Sequence, residues 1–131
     1  MKLSKEELFY INSFDSVTGV MPKDCIVDGN VVSFVVNKNE LAKALGKKGI
    51  KARLLEKMLK RKVEIFVLAD SAEEFIKNAF RNIELQTAEE NGTLLIKTNS
   101  LGKRMLMQNM GKFKRVKKFI ERLYKFENVL F

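Results

Sequence analysis

Three local sequence signals occur twice in the chain, in the same order and at nearly the same spacing. Each set holds a Ser-x-x-Glu helix cap, an Asp-Gly or Asn-Gly hairpin turn, and a glycine turn between two helical segments. The paired positions are Ser4 and Ser71, Gly29 and Gly92, and Gly49 and Gly111, which lie 67, 63 and 62 residues apart. A repeat of this length predicts two similar units in one chain.

The first unit has the pattern of an α+β domain. Its first helix carries Leu8, Ile11 and Phe14 on one face and ends near Gly19 and Pro22. Three β-rich runs follow at 25–27, 31–36 and 63–68. Two helical segments lie between the second and third runs, on either side of the glycine turn. The predicted order is α-β-β-α-α-β, with a three-stranded sheet and helices on one of its faces.

The second unit is predicted to repeat this order. Its elements are a helix after Ser71, strands at 83–87 and 94–96, a helix at 101–107, a turn at 108–111, a helix with Phe113, Val116, Ile120 and Leu123 on one face, and a strand at 128–131. No Pro/Gly/Ser-rich linker separates the halves. The sequence therefore predicts a first domain at 1–70 and a second at 71–131.

The composition restricts the possible functions. The 131 residues include 25 Lys and Arg, 16 Asp and Glu, no His and one Cys, so the net charge is +9. Without histidine, a His-based catalyst or metal site is excluded, and a lone Cys25 cannot form a disulfide within one chain. No paired carboxylates suggest catalysis, so we expect neither an enzyme nor a bound cofactor or metal. The charge instead favours an anionic partner, nucleic acid first and a membrane surface second.

The chain lacks the sequence signals of a membrane or exported protein. No apolar run approaches the roughly 20 residues of a membrane span, and the first residues have no signal-peptide apolar core. We therefore expect a soluble, cytoplasmic protein.

The basic residues are concentrated around the two glycine turns. The windows 43–62 and 103–118 hold 16 of the 25, with Glu56 as the only acid in either window. The first turn reads Gly46-Lys47-Lys48-Gly49. Glycines allow close approach of another backbone, and the N-terminus of the following helix favours phosphate. A GXXG loop of this kind clamps a nucleic-acid backbone in KH domains.

The order of elements around this loop resembles that of type II KH domains. The segments 16–19, 23–28, 32–36, 45–49, 63–65 and 71–79 resemble the archaeal NusA-like proteins. That resemblance covers nearly the whole chain, strongly from Ser4 to Ala79 and more weakly beyond. It implies two fused KH domains, binding of single-stranded RNA, and a role with RNA polymerase in transcription elongation and termination.

The resemblance also implies which residues contact RNA. The candidates are Gly46, Lys47, Lys48, Gly49, Ile50, Lys51 and Arg53 in the first unit, and Gly111, Lys112, Lys114 and Arg115 in the second. The family favours a polar residue and then Asn after the first loop, where this chain has Ile50 and Lys51. In the second loop Gln108 replaces the first glycine, so we expect a weakened site or an auxiliary basic surface.

Two questions stay open at the level of sequence. Bases are expected in an apolar groove between the helices of the turn and the edge of the second strand, where Leu45, Ala52 and Leu55 are either groove floor or core. The chain could alternatively be a scaffold on RNA polymerase or the ribosome, contacting protein through its acidic helices, with RNA binding incidental.

Overall fold

The computed structural model describes residues 3–131 and has an α+β fold with two three-stranded sheets and six α-helices. The chain divides into two compact units, with Leu68 ending the first and Ala69 beginning the second. Each unit contains one sheet and three α-helices.

The elements of the first unit follow the predicted order. They are α1 Lys5–Thr18, β1 Asp24–Asp28, β2 Val31–Val36, α2 Leu41–Leu45, α3 Ile50–Leu59 and β3 Lys62–Val67, with short 3-10 turns at Lys38–Glu40 and Lys47–Gly49. The second unit repeats the order with α4 Ala72–Ala79, β4 Gln86–Glu90, β5 Thr93–Lys97, α5 Ser100–Gln108, α6 Met110–Tyr124 and β6 Asn128–Leu130.

Both sheets have the same topology. In the first, β2 lies in the centre, antiparallel to β1 and parallel to β3. In the second, β5 lies in the centre, antiparallel to β4 and parallel to β6. Both edges of the central strand β2 are paired, so the edge beside which the groove was expected is not free. The free edges of the first sheet belong to β1 and β3.

Helix α1 begins and ends as its sequence predicts. The Ser4 hydroxyl oxygen accepts a hydrogen bond from the Glu7 backbone N–H, and the Glu7 carboxylate accepts one from the Ser4 N–H, both at 3.0 Å. Gly19 ends the helix in the left-handed conformation, with φ of 75°. The capping box and the glycine stop are therefore confirmed.

The predicted buried face of α1 is partly wrong. Ile11 and Phe14 are buried, but Leu8 is 46% exposed and Tyr10 is buried in its place. The buried stripe of the helix runs through residues 10, 11, 14 and 18. With about 100° of rotation per residue, Leu8 lies roughly a quarter turn from the middle of that stripe.

Aromatic and aliphatic side chains form the core of the first unit. Phe14 of α1 packs on Phe34 of β2 with ring centroids 4.4 Å apart, and both rings are fully buried. Leu55 of α3 and Ala44 of α2 complete this cluster. Leu55 is therefore a core residue, which answers one question that the sequence left open. The lone Cys25 is also buried here, as a free thiol.

The second unit has a core of its own, and its first strand differs from the prediction. Phe113, Val116 and Ile120 of α6 are buried as expected, whereas Leu123 is only partly buried. The strand predicted at 83–87 lies instead at Gln86–Glu90. The hairpin turn fixes the register from Glu90 opposite Thr93 outward to Gln86 opposite Lys97, which leaves the buried residues before Gln86 outside the strand.

Leu54 and Leu55 are consecutive residues of α3, the first exposed and the second buried. Replacing each of them in turn tests the assignment of the core. We expect Leu55→Ala to lower the free energy of unfolding by about 3 kcal/mol, because it leaves a cavity in the core. Leu54→Ala should change it by less than about 0.5 kcal/mol, since Leu54 is 50% exposed. Urea unfolding measures both. Equal losses would contradict this assignment of the core.

The environment of the Tyr124 hydroxyl predicts that the folded state loses stability at alkaline pH. It donates a hydrogen bond to the Ala69 carbonyl oxygen at 2.7 Å and accepts one from the Ala69 N–H at 2.9 Å. Burial raises the pKa of Tyr124 above its usual value of 10.0. A raised pKa means that the folded state holds the phenolic proton more tightly, so the stabilisation is complete below about pH 10 and is lost as the pH rises through the folded-state pKa.

We therefore expect Tyr124→Phe to be less stable than the wild type by about 1 kcal/mol at neutral pH. The difference should narrow above pH 10, because phenylalanine cannot ionise. Urea unfolding at several pH values measures this difference. A gap that widens with pH would contradict the assignment.

Candidate nucleic-acid interface

The first glycine loop connects α2 to α3 through a single 3-10 turn. Gly46 has φ of 72° and ψ of 176°, a backbone conformation essentially restricted to glycine. Lys48 and Gly49 follow in the left-handed region, with φ of 56° and 71°. Three positive φ angles in four residues reverse the chain sharply and leave the Lys47 and Lys48 side chains exposed.

Part of the hydrogen-bonding capacity of this loop is used inside the loop. The Gly49 N–H donates to the Gly46 carbonyl at 3.1 Å, and the Ile50 N–H donates to the Lys47 carbonyl. The Gly46 N–H closes the end of α2 by donating to the Ala42 carbonyl at 3.0 Å. The N–H groups of Gly46, Gly49 and Ile50 are therefore engaged within the protein.

Lys51 is directed back into the protein from the first turn of α3. Its Nζ lies 3.3 Å from the Thr18 carbonyl oxygen and 3.2 Å from the Lys43 carbonyl oxygen, and donates to both. The stem of the side chain packs over the first loop glycine. A Cβ built on Gly46 would lie 2.7 Å from Lys51 Cγ, closer than nonbonded carbon atoms approach each other.

Arg53 also contacts the loop. Its terminal guanidinium nitrogen Nη1 donates to the Lys48 carbonyl oxygen at 2.6 Å, and it lies 3.6 Å from where a Cβ of Gly49 would stand. The guanidinium thus spans from α3 to the two left-handed residues of the loop. Lys51 and Arg53 both hold backbone carbonyls, whereas Lys47 and Lys48 extend into solvent.

The outer face of α3 is apolar, which was not predicted from the sequence. Ile50, Leu54 and Met58 are 57%, 50% and 57% exposed and lie four residues apart, so they form one stripe along the helix. The periodicity of the sequence detects such a stripe but cannot tell a buried face from an exposed one. Leu45 and Ala52, the other proposed groove residues, are partly buried.

The second glycine turn is absent in the predicted form. The break between α5 and α6 is Asn109 alone, and Gly111 lies inside the first turn of α6. The Asn109 carbonyl accepts from the Phe113 N–H at 2.9 Å, as in a continuing helix. Phe113 stands where the first unit has Lys51, and its ring is buried. The prediction of a turn over 108–111 is therefore wrong in its extent.

The basic candidates of the second unit have different environments. Lys112 Nζ lies 4.9 Å from the centroid of the Phe80 ring, a cation–π contact. Lys114 is exposed. The guanidinium of Arg115 lies over Gly111, 3.4 Å from where a Cβ would stand, which parallels Arg53 over Gly49. These residues lie in the first turns of α6 but on different faces of the helix, and they do not surround a glycine loop.

The carbonyl partners of Lys51 could not have been found from sequence. Thr18 and Lys43 act through backbone oxygens, which every residue carries, so no residue type marks them.

Within residues 3–131 no helix combines the length and apolarity needed to cross a membrane. The same residues contain no group of three His, Cys, Asp or Glu side chains placed to hold a metal ion.

Comparison with known proteins identifies relatives. No protein-family model matches the chain. A probable transcription termination protein NusA of Halococcus morrhuae is 38% identical over 59% of this chain and 55% of its own length. The protein of the same name in Halobacterium salinarum is 33% identical over 71% of this chain and 68% of its own length.

A solved structure is similar to this chain over nearly its full length. The crystal structure of a protein named APE1850 is 29% identical, with a TM-score of 0.81 over 98% of this chain and 99% of that one. The chain spans about half the length of several archaeal NusA relatives that it matches. With the Halobacterium protein matched over more than two thirds of its length, the chain belongs to the archaeal NusA-like family.

Proposed function

We propose that this chain binds single-stranded RNA and acts as a factor in transcription elongation and termination. In this proposal residues 1–70 and 71–131 are two type II KH domains, and the first loop carries most of the contact with the RNA backbone. The observation that carries the proposal is the loop itself. Its two lysines are exposed at a glycine turn directly before α3, in a chain with a net charge of +9.

The electrostatics of the first loop suit a phosphate backbone. Lys47 and Lys48 present two ammonium groups beside the N-terminus of α3, whose partial positive charge has the same sign. Gly46 and Gly49 place no side chain on this surface. Because Gly49 and Ile50 N–H groups are engaged within the loop, we assign the phosphate contacts mainly to the two lysines and to their own backbone N–H groups.

The second unit contributes an auxiliary basic surface in this proposal. Lys114 is exposed, whereas Lys112 lies over an aromatic ring and Arg115 lies over Gly111. Because Gly111 lies within α6, the start of this helix offers cations to an RNA backbone but no glycine loop. We therefore expect Gly111, Lys112, Lys114 and Arg115 to add affinity to RNA that the first loop holds, since two linked contacts raise avidity.

RNA polymerase is the proposed protein partner. The support is the name shared by several archaeal relatives, probable transcription termination protein NusA. The proposed activity is binding rather than catalysis, with the nascent transcript as the nucleic acid and the cytoplasm as the compartment. A scaffold that contacts polymerase or the ribosome, with RNA binding incidental, is the competing function, and RNA affinity measured without any partner separates the two.

Charge reversal in the first loop tests RNA binding directly. The double variant Lys47→Asp/Lys48→Asp should weaken binding of a short single-stranded RNA by at least about a hundredfold, since two charge-assisted contacts are lost. The fold should survive, because both side chains are exposed and aspartate tolerates the left-handed conformation of residue 48. Fluorescence anisotropy with labelled RNA gives the dissociation constants.

A matched control is Lys5→Asp/Lys97→Asp, which changes the net charge equally at two exposed positions outside both basic windows. This control should bind RNA within a few-fold of the wild type. If the loop variant also binds like the wild type, the loop is not the RNA site. If the wild-type protein itself has no measurable RNA affinity, the scaffold function is favoured.

A single reversal in the second unit tests the proposed asymmetry. Lys114→Asp should weaken RNA binding by about fivefold or less, as expected for one exposed cation on an auxiliary surface. The matched comparison is Lys47→Asp, which should have the larger effect in the same anisotropy assay. An equal or greater loss for Lys114→Asp would mean that the second unit holds the main site.

A further inference from the structure

We infer that Lys51 and Arg53 are positioning residues that hold the first loop in its RNA-binding shape, rather than cations that contact phosphate. The inference rests on the proposed RNA-binding function and gives different tasks to the four basic residues around the loop. Lys47 and Lys48 would contact the phosphates of the RNA. Lys51 and Arg53 would hold the loop backbone that carries Lys47 and Lys48.

Lys51 joins three elements at one point. Its ammonium group donates to the Thr18 carbonyl at the last residue of α1 and to the Lys43 carbonyl within α2, while its own backbone belongs to α3. Carbonyls in the last turn of a helix have no partner inside that helix and carry partial negative charge, so a cation there is stabilising. An ammonium group already shared by two carbonyls has limited capacity left for a phosphate.

The stem of Lys51 also explains the first glycine of the loop. The side chain occupies the space that a Cβ on Gly46 would need, at 2.7 Å from Lys51 Cγ. Glycine at this position is thus required by a contact inside the protein as well as by its backbone angles. The second unit gives an internal comparison. Phe113 stands in the place of Lys51, Gln108 stands in the place of Gly46, and no glycine loop forms.

Arg53 restrains the other half of the loop. Its guanidinium donates to the carbonyl of Lys48, a residue that lies in the left-handed region although it is not glycine. That conformation is intrinsically disfavoured for a residue with a side chain. A charge-assisted hydrogen bond to its carbonyl offsets the cost. Arg53 thereby fixes the direction in which the Lys48 side chain leaves the loop.

The dependence of RNA binding on salt distinguishes positioning from direct contact. A cation that contacts phosphate releases counterions, so its loss reduces the slope of log affinity against log salt by about 0.7 for a single strand. We expect Lys47→Met to show that reduction. Lys51→Met and Arg53→Met should each weaken binding about tenfold while changing the slope by less than half as much.

Amide hydrogen exchange gives a readout that needs no RNA. In Lys51→Met and Arg53→Met the N–H groups of Gly49 and Ile50, which donate within the loop, should exchange faster than in the wild type. Amides of the central strand β2 should be unchanged. Lys57→Met, which removes an exposed lysine from the same helix, is the matched control and should alter neither exchange nor affinity.

Each outcome has a defined meaning. A slope reduced by Lys51→Met as much as by Lys47→Met makes Lys51 a phosphate contact and overturns the inference, as does unchanged exchange at Gly49 and Ile50. If Lys51→Met fails to fold, the exposed Arg53 still tests the inference through Arg53→Met. If the wild-type protein binds no RNA, the proposed function fails, while the exchange measurements still decide whether these residues hold the loop.

Discussion

The parallel pairing of β2 with β3 is the constraint on which the first unit depends. Two parallel neighbours cannot be joined by a tight hairpin, so the chain must cross from one end of the sheet to the other before it pairs again. Residues 37–61 make that crossing and contain α2, the glycine loop and α3. The candidate site is therefore a bend in the connection that the sheet topology requires, anchored by core residues such as Leu55.

The features that sequence predicted well are those decided over a few residues. The capping box at Ser4, the stop at Gly19 and the two hairpin turns each depend on side chains or backbone angles within a short segment, so their residue types suffice to identify them. The order of elements followed from these landmarks. The positive φ angles of Gly46 and Gly49 likewise agree with the residue types found there.

The predictions from sequence that were wrong concern features that depend on tertiary packing. Leu8 and Tyr10 both carry large, mainly apolar side chains, and the way α1 packs on the rest of the first unit determines which of them is buried. The strand expected at 83–87 begins at Gln86 instead. The hairpin turn sets which residues of this strand pair with β5, and that pairing ends with Gln86 opposite Lys97. The roles of Lys51 and Arg53 depend on backbone carbonyls, which carry no residue-specific signal. A count of basic residues therefore does not distinguish side chains that extend into solvent, such as Lys47 and Lys48, from side chains that hold backbone carbonyls.

Lys48 has a left-handed backbone conformation, so the residue types that would make this position more stable are not those that would give it a positive charge. Glycine or asparagine would adopt that conformation at lower cost, and relieving it is worth on the order of 1 kcal/mol. Either replacement would also remove one of the two exposed ammonium groups of the loop. Selection for a more stable protein and selection for a more basic loop thus act in opposite directions at this residue. A lysine at this position therefore adds charge to the loop at a cost in backbone conformational free energy, which the hydrogen bond from Arg53 to its carbonyl offsets.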